Sequence, residues 1–490
     1  MTANKLESAL PAELGIPSLC VLDFIEHLEE RQLCMHGIVI LRHGKIAFEA
    51  LYPPFGPDTL HRIYSVTKSF VSMAVGFMID EGKISLQSRL IDFFPEYGSS
   101  VVQPFTAEIK VRDLLLMATP YDQTTYTEKD SNWIKTFFFA APTHKSGTVF
   151  KYDTSGTVAL NALVEKVSGQ NLIDYLRPRL LEPLGFSADA WCVERPEGGA
   201  WGGSGLQASI RDLARFGLFL LNRGNWQGKQ LLSASYLAEA CSPLIDNRVT
   251  VTQPEMQFGY GYQIWQTRHR GFCAWGMGSQ LCLCLPEKDL VMVTTGDTQS
   301  IPHGHDIILD AFWRDLYPRI ADNALDENRE DRTKLENKLA HLEFPAVDGE
   351  KSSPRQHSSS GKLYRFDDNP MKISRVAFSF SDGEGTMRYN NISGEHEIHF
   401  GLGKYMEGIF PETRYFGKRI GVPAGRGYRY KASGAWFSPR SLTIYLYIID
   451  DYLGTLKINC FFEEDTLTLN MSKAAEWFLD EYTGMATGKI

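Results

Sequence analysis

The sequence predicts an α+β fold followed by a separate antiparallel β domain. Strand-like and helix-like segments alternate through the first 320 residues, and apolar residues recur at every second position from residue 362 onward. Between these regions the composition is charged and then small and polar. We therefore expect one domain over residues 1–320, a charged helix and polar linker over 321–361, and a β-sandwich or barrel-like domain over 362–490.

In the first region, residues 36–51 predict two strands around a tight turn at Gly44-Lys45. Residues 65–81 place apolar side chains along one side of a long helix, and Gly82 is a suitable stop. Further helical and strand patterns follow. Helical spacing appears at 111–117, 156–167 and 209–221, and a late pair of strands is predicted at 272–285 and 290–295.

The region between the two domains combines two kinds of segment. Residues 321–342 are dominated by charges, with leucines at spacings of four and three, which predicts an exposed helix. Residues 351–361 are small and polar and are typical of a linker. Alternating apolar residues at 441–450 and 456–471 then predict short strands of the final domain.

Composition limits the classes of partner. The 490 residues are 43% hydrophobic and 22% charged, which is ordinary for a globular protein, and the net charge is −9. An acidic chain argues against nucleic acid as a partner. No stretch reaches the roughly 18–20 apolar residues of a membrane span, and no signal peptide is evident, so we expect a cytoplasmic protein without a membrane partner. The eight cysteines should then be reduced, with Cys282 and Cys284 as buried thiols on one face of a strand.

The pair Ser65 and Lys68 is the most informative chemical feature. Residues three apart on a helix lie on one face, with Cβ atoms about 5–6 Å apart. A serine hydroxyl becomes a nucleophile when a neighbouring base takes its proton, and burial favours the neutral form of lysine that can act as that base. Ser65 also lies near the start of the predicted helix, where free N–H groups favour developing negative charge.

The Ser-x-x-Lys spacing is weak evidence alone, because chance produces it in a chain of this length. A second copy, Ser359 to Lys362, lies in the polar linker and has no apolar surroundings. The simpler interpretation of Ser65 and Lys68 is a helix cap followed by a solvated lysine. The flanking sequence decides between these interpretations.

The segment HRIYSVTKSFVSMAVGFMIDEGKISL, residues 61–86, resembles the nucleophile helix of the serine β-lactamase and penicillin-binding-protein superfamily. The resemblance is closest to the class C β-lactamase-like branches of esterases, D-aminopeptidases and nylon-oligomer hydrolases. It implies a β-lactamase/transpeptidase-like antiparallel sheet flanked by helices. Further segments resemble the family in the same order, over residues 109–118, 150–169, 202–232 and 258–296.

By this resemblance, Ser65 is the acylated nucleophile, Lys68 is its base, and Tyr152 is a second acid/base group that exchanges protons with the leaving group. The alternative for Tyr152 is a packing aromatic with a hydrogen-bonded hydroxyl. Thr154 stands where the family usually has Asn, two residues after the Tyr. A Thr hydroxyl cannot offer the paired amide groups of Asn, which changes substrate positioning at this point.

The third family motif, commonly Lys-Thr-Gly or His-x-Gly, corresponds here to Ala274-Trp275-Gly276. Ala274 cannot bind the substrate carboxylate that the usual cation meets. The turn at Arg268–Arg270 is a candidate substitute, with a solvated turn as the simpler interpretation. Gly276 allows the strand to pass close to the substrate, so that the Met277 N–H completes an oxyanion hole with that of Ser65. Trp275 either forms an apolar wall beside the acyl group or packs in the core.

We therefore expect a metal-independent serine hydrolase, without a cofactor, that acts on small esters, amides or short peptides through an acyl-enzyme. The cluster at His303, His305 and Asp306 lacks further metal ligands at known spacing. A β-lactamase or a penicillin-binding sensor with little turnover is the alternative function, since Thr154 and Ala274 depart from the family pattern. A third alternative places the activity in the C-terminal domain, as a ligand-binding barrel.

Overall fold

The computed structural model describes residues 6–98, 103–344, 346–411 and 414–490. The chain forms two compact units, and each unit is assembled from three separate segments. The first unit contains Met1–Gly296, His303–Glu343 and Lys418–Gly421. The second contains Asp297–Pro302, Phe344–Gly417 and Val422–Ile490.

An antiparallel sheet with strand order β2-β1-β11-β10-β9-β8 forms the centre of the first unit, and smaller sheets join β3-β5-β4 and β6-β7. The strands of the first unit are β1 Met35–Arg42, β2 Lys45–Leu51, β3 Leu60–Arg62, β4 Trp191–Cys192, β5 Leu206–Ser209, β6 Asn225–Trp226, β7 Lys229–Gln230, β8 Trp265–Gln266, β9 Phe272–Gly276, β10 Gln280–Leu285 and β11 Leu290–Gly296.

Helices flank this sheet, which confirms the α+β class with a β-lactamase/transpeptidase-like sheet. The α-helices among the described residues are α1 Ser18–Glu30, α2 Thr67–Asp80, α3 Pro104–Ala107, α4 Val111–Leu115, α5 Trp133–Phe139, α6 Thr154–Ser168, α7 Leu172–Leu176, α8 Glu182–Leu184, α9 Ile210–Leu221, α10 Ala234–Ala240, α11 Gly304–Ala311, α12 Arg329–Ala340 and α13 Pro354–Ser359.

Helix α9 packs directly on the central sheet, against β1, β10 and β11. Gly217 permits the close approach, because a Cβ at this position would lie 2.4 Å from Val291 Cγ1. The thiols of Cys282 and Cys284 are buried and donate to the Leu213 and Gly217 carbonyls of α9. They are therefore packing residues of the sheet face that α9 covers.

The predicted turn between the first two strands is present, and His43 and Gly44 both have positive φ there, as a tight hairpin requires. The single strand predicted over residues 272–285 is wrong. It divides into β9 and β10, because Gly278 and Ser279 adopt left-handed backbone conformations and reverse the chain. The alternating apolar residues on both sides of the turn concealed this hairpin in the sequence.

The second unit is a β-barrel. Its strands run in the order β15-β14-β13-β12-β21-β20-β19-β18-β17-β16, and β15 also pairs with β17, which closes the sheet. The strands are β12 Leu363–Phe366, β13 Arg375–Ser381, β14 Glu384–Asn391, β15 Gly394–Leu402, β16 Met406–Phe410, β17 Tyr428–Ser438, β18 Ser441–Ile449, β19 Leu453–Phe462, β20 Thr466–Ala475 and β21 Gly484–Lys489. The C-terminal antiparallel β domain is thus confirmed, with the barrel as its form.

The charged segment predicted as a helix contains α12, with Leu335 buried. The segment predicted as a polar linker contains the short helix α13, which begins with a capping box between Ser353 and Gln356. Ser359, the serine of the second Ser-x-x-Lys copy, is the last residue of α13. Within the described parts of the chain, no helix has the length and apolar character needed to cross a membrane.

Asp297 makes the stability of the second unit depend on pH. Its buried carboxylate accepts hydrogen bonds from Gln299 Nε2 at 2.8 Å and from Thr455 Oγ1 at 3.2 Å. Burial raises the pKa of this carboxyl from 3.8 to about 6, against the lowering effect of those hydrogen bonds. Between these values the unfolded chain alone releases the proton, so rising pH destabilises the fold.

We expect Asp297→Asn to remove this penalty, because the amide keeps one acceptor for Gln299 and the Thr455 hydroxyl can turn to accept from it. Each pKa unit corresponds to about 1.4 kcal/mol. The free energy of unfolding of Asp297→Asn should therefore exceed that of wild type by an amount that grows to about 3 kcal/mol above pH 6. Denaturant unfolding between pH 4.5 and 7.5 measures it, with exposed Asp326→Asn as control. If the difference in free energy of unfolding between Asp297→Asn and wild type does not change with pH, Asp297 is not the source of the pH dependence.

Candidate functional site

Ser65 lies in a short 3₁₀ turn, Tyr64–Val66, that leads directly into α2. Tyr64 has φ 46°, a left-handed conformation that costs energy for a bulky residue. This turn positions Ser65 at the N-terminal end of α2, where its side chain is partly exposed. The predicted helix over residues 65–81 is therefore present, with a tighter first turn.

Lys68 lies one turn further along, and only 1% of it is exposed. Its Nζ donates to Ser65 Oγ at 2.9 Å and to the carbonyl of Gly203 at 2.5 Å. A carbonyl can only accept, so it takes one N–H of the amine. The other contact joins Nζ directly to the Ser65 hydroxyl, so a proton can pass between these two groups.

A buried arginine fixes the loop that carries the Gly203 carbonyl. Arg62 donates from Nε to the Ser204 carbonyl at 3.0 Å and from Nη2 to Ser204 Oγ at 3.1 Å. Its guanidinium also lies over the rings of Tyr64 and Trp201, 4.4 and 4.5 Å from their centroids. The strand that precedes Ser65 thus holds the carbonyl that accepts from Lys68.

The Tyr152 hydroxyl hydrogen-bonds Ser65, and its ring stacks on Trp265 with centroids 5.3 Å apart. Lys68 Nζ lies 5.2 Å from the same ring centroid. Burial raises the pKa of the Tyr152 phenol above its ordinary value, and the hydrogen bond to Ser65 offsets only part of that effect. The phenol is therefore a proton donor at neutral pH.

Asp153 and Thr154 begin α6 directly after Tyr152. The buried Asp153 carboxylate accepts from the Ser155 N–H at 2.8 Å and from Thr119 Oγ1 at 3.0 Å, which caps the helix and fixes its start. The methyl group of Thr154 faces Gly203, where an added Cβ would lie 2.4 Å from it. Thr154 thus packs on the loop that holds Lys68.

The end of β9 lies against the turn that carries Ser65. A Cβ on Gly276 would lie 2.4 Å from the Ile63 carbonyl oxygen and 3.3 Å from the Ser65 nitrogen. Only glycine allows this approach. Met277 follows, with 39% of its surface exposed. The buried Gln280 amide holds this turn, since its Nε2 donates to the Met277 carbonyl at 3.2 Å.

Trp275 is buried on the opposite face of β9 from Gly276. Its ring packs edge-on against Trp265, with centroids 6.5 Å apart, and against His305, with centroids 4.9 Å apart. Because Trp265 stacks on Tyr152, Trp275 belongs to the aromatic layer behind Tyr152. It supports that layer through packing.

Other sequence candidates lie elsewhere. The turn at Arg268–Arg270 is at the end of β9 opposite Gly276, and Arg268 pairs with Glu255. His303 precedes α11 and, like His305, contacts Asp306. Among the described residues, no group of three or more His, Cys, Asp or Glu side chains is arranged to hold a metal ion.

Sequence analysis missed Gly203, Gln263 and Gln280. Gln263 is buried, accepts from Thr157 Oγ1 of α6 at 2.6 Å, and donates to the Leu114 carbonyl at 2.8 Å. Its own carbonyl accepts from Ser69 Oγ of α2 at 2.7 Å. No motif spacing points to these residues, because their roles depend on loops that only the folded chain brings together.

Comparisons with known proteins identify the family. The family model described as Beta-lactamase matches residues 21–304, more than half of the chain. The 6-aminohexanoate-dimer hydrolase of Paenarthrobacter ureafaciens is 25% identical over 252 residues, which are 48% of this chain and 64% of that protein. Esterase EstB of Burkholderia gladioli is 23% identical over 202 residues, 36% of this chain and 51% of the esterase. The chain thus spans less than two thirds of either relative.

A solved structure described as "Putative 6-aminohexanoate-dimer hydrolase from Bacillus anthracis" superposes with a TM-score of 0.53 and 19% identity. The superposition covers 64% of this chain and 87% of that one. At this identity the likeness concerns the fold.

Gly276→Ala should slow covalent modification of the chain by a fluorophosphonate about 100-fold or more, because the new methyl group displaces β9 from the Ser65 N–H. Intact-protein mass spectrometry follows the rate. Gly56→Ala is the matched control, since its Cβ would meet only Thr59 Oγ1, at 3.7 Å. Equal rates for both folded variants would show that the close approach of β9 is unimportant.

Proposed function

Because this chain belongs to the β-lactamase family, we propose that it is a serine hydrolase that cleaves small esters or linear amides through an acyl-enzyme on Ser65. The observation that carries the proposal is the buried Lys68 Nζ, which bridges Ser65 Oγ and the Gly203 carbonyl. A lysine in this position, shielded from water, suits a general base better than a surface cation does.

In the proposed acylation, Ser65 Oγ bonds to the substrate carbonyl carbon while its proton passes to neutral Lys68. The N–H groups of Ser65 and Met277 stabilise the oxyanion. Tyr152 donates its phenolic proton to the leaving oxygen or nitrogen as the carbonyl–leaving-group bond breaks, and the proton on Lys68 restores the phenol. Water then attacks the acyl-enzyme and loses a proton to the same groups, which releases the acid and regenerates Ser65.

The substrate class follows from the site and the relatives together. Ala274 supplies no cation for a substrate carboxylate, which disfavours penicillins. Two of the relatives are named a 6-aminohexanoate-dimer hydrolase and an esterase. The proposed chemistry needs no metal or other cofactor. We propose a small-molecule substrate and no nucleic-acid or membrane partner.

The second candidate is a penicillin-recognising sensor that is acylated with little turnover. Thr154 favours it, because its methyl group packs on Gly203 in place of the Asn amide that the family usually presents near the substrate. The two candidates differ in whether water hydrolyses the acyl-enzyme. Mass spectrometry of the intact protein detects this difference, because an acyl-enzyme that is not hydrolysed persists as an adduct.

A fluorophosphonate should form a single adduct that is absent in Ser65→Ala, and intact-protein mass spectrometry measures it. Turnover of nitrophenyl esters without turnover of a chromogenic cephalosporin would support the hydrolase. A persistent penicillin adduct without ester turnover would favour the sensor. If the folded wild type forms no adduct with either reagent, both candidates are wrong. Activity should persist in a chelator.

Tyr152→Phe tests the proton donor. Hydrolysis of an alkyl amide should fall by about 10²–10⁴-fold, because its leaving nitrogen needs a proton. Hydrolysis of a nitrophenyl ester should fall much less, since nitrophenolate leaves unprotonated. Steady-state rates on both substrates measure the difference, and Tyr97→Phe, at a partly exposed ring that stacks on Phe138, is the control. Equal losses on both substrates would assign Tyr152 to packing.

A further inference from the structure

A cavity of about 780 Å³ lies in the first unit, between the end of α9, α10 and the β8–β9 hairpin. We call it the hairpin cavity. Its volume falls within the range of about 300–1,000 Å³ that is usual for small-ligand sites. Leu220, Leu237 and Phe272 line it and are buried, so most of its wall is apolar. It lies at the end of β9 opposite Gly276 and therefore away from Ser65.

One buried polar group in this wall has no partner. Gln266 lines the cavity and is 5% exposed, and its Nε2 makes no hydrogen bond to any described residue. Gln266 is opposite Phe272 in the β8–β9 ladder, so both side chains share the cavity face of the hairpin. A buried amide donor without a partner costs free energy that an oxygen acceptor on a ligand would recover.

The charged residues that line the cavity indicate that this acceptor is an anion. Its lining includes three arginines and a histidine and no Asp or Glu, in a chain whose net charge is −9. Arg268 pairs with Glu255, and His269 contacts the Glu287 carboxylate, so neither is available to a ligand anion. Arg223 and Arg270 are exposed, and no carboxylate lies within ion-pair distance of either in the described parts of the chain. The cations and the Gln266 amide therefore attract an anion.

Gln266 and two of the three arginines lie on the hairpin side of the cavity, whereas its leucines lie on the helix side. Gln266 and Arg270 belong to the β8–β9 hairpin, whereas Leu220 and Leu237 belong to α9 and α10. A ligand that satisfies both sides has a charged oxygen group at the hairpin and a hydrocarbon body along the helices.

We propose that the hairpin cavity binds an aliphatic carboxylate, such as a medium-chain fatty acid, at a site separate from Ser65. The carboxylate accepts from Gln266 Nε2 and pairs with Arg270, and the chain packs on Leu220 and Leu237. Gln266 directly follows Trp265, whose ring stacks on Tyr152 from the other face of β8. The site is thus one strand residue from the aromatic layer behind the candidate acid.

Calorimetric titration of the full chain with decanoate, below its micelle-forming concentration, tests the proposal. We expect one site, retained after Ser65 is blocked by a fluorophosphonate and retained in Ser65→Ala. Decan-1-ol, which has the same chain without the charge, should bind at least about tenfold more weakly. No binding, or binding lost on blocking Ser65, would overturn the proposal, as would equal affinity for the alcohol.

Variants locate the site. Arg270→Ala and Gln266→Leu should each weaken decanoate binding about tenfold or more, because each removes one partner of the carboxylate. Arg270 is exposed, so its replacement leaves the packing intact. Arg365→Ala, at an exposed arginine of β12, is the matched control. If Arg270→Ala binds decanoate as tightly as the control does, the ligand does not occupy this cavity.

Discussion

The position of the buried Lys68 amine constrains most of the first unit. An amine removed from water needs hydrogen-bond acceptors, and here it has Ser65 Oγ and the Gly203 carbonyl. Arg62 fixes the loop that holds Gly203, and the left-handed residue before Ser65 fixes the hydroxyl. Both acceptors therefore lie within hydrogen-bond distance of Lys68 Nζ. The left-handed backbone at Tyr64 is part of the arrangement that places Ser65 Oγ there.

Three polar residues join the elements that meet at this amine. Gln263 links α2, α4 and α6, Asp153 caps α6, and Gln280 holds the turn after β9. All three are buried and hydrogen-bonded, so they specify one arrangement of the elements rather than simply filling space. The aromatic layer of Trp265 and Trp275 completes the support behind Tyr152.

Local pattern predicted the elements well, and motif resemblance predicted which side chains meet. Helix α2, the first hairpin and the barrel strands each show a hydrophobic periodicity in the sequence, because one face of each element is buried. The β9–β10 hairpin was missed since both of its strands are apolar, and α13 was missed since polar residues and a capping box form it. The Gly203 carbonyl was not predictable, because backbone acceptors carry no residue signature and depend on tertiary contacts.

The discontinuous make-up of the two units has a consequence for biosynthesis. The first unit includes Lys418–Gly421, which pair with Glu194 through backbone hydrogen bonds. Because the ribosome synthesises the chain from its N-terminus, this segment emerges only after several barrel strands have been made. The first unit therefore gains its last segment late in synthesis, and gene fusions or truncations that divide the chain at one point before residue 418 would leave this unit without it.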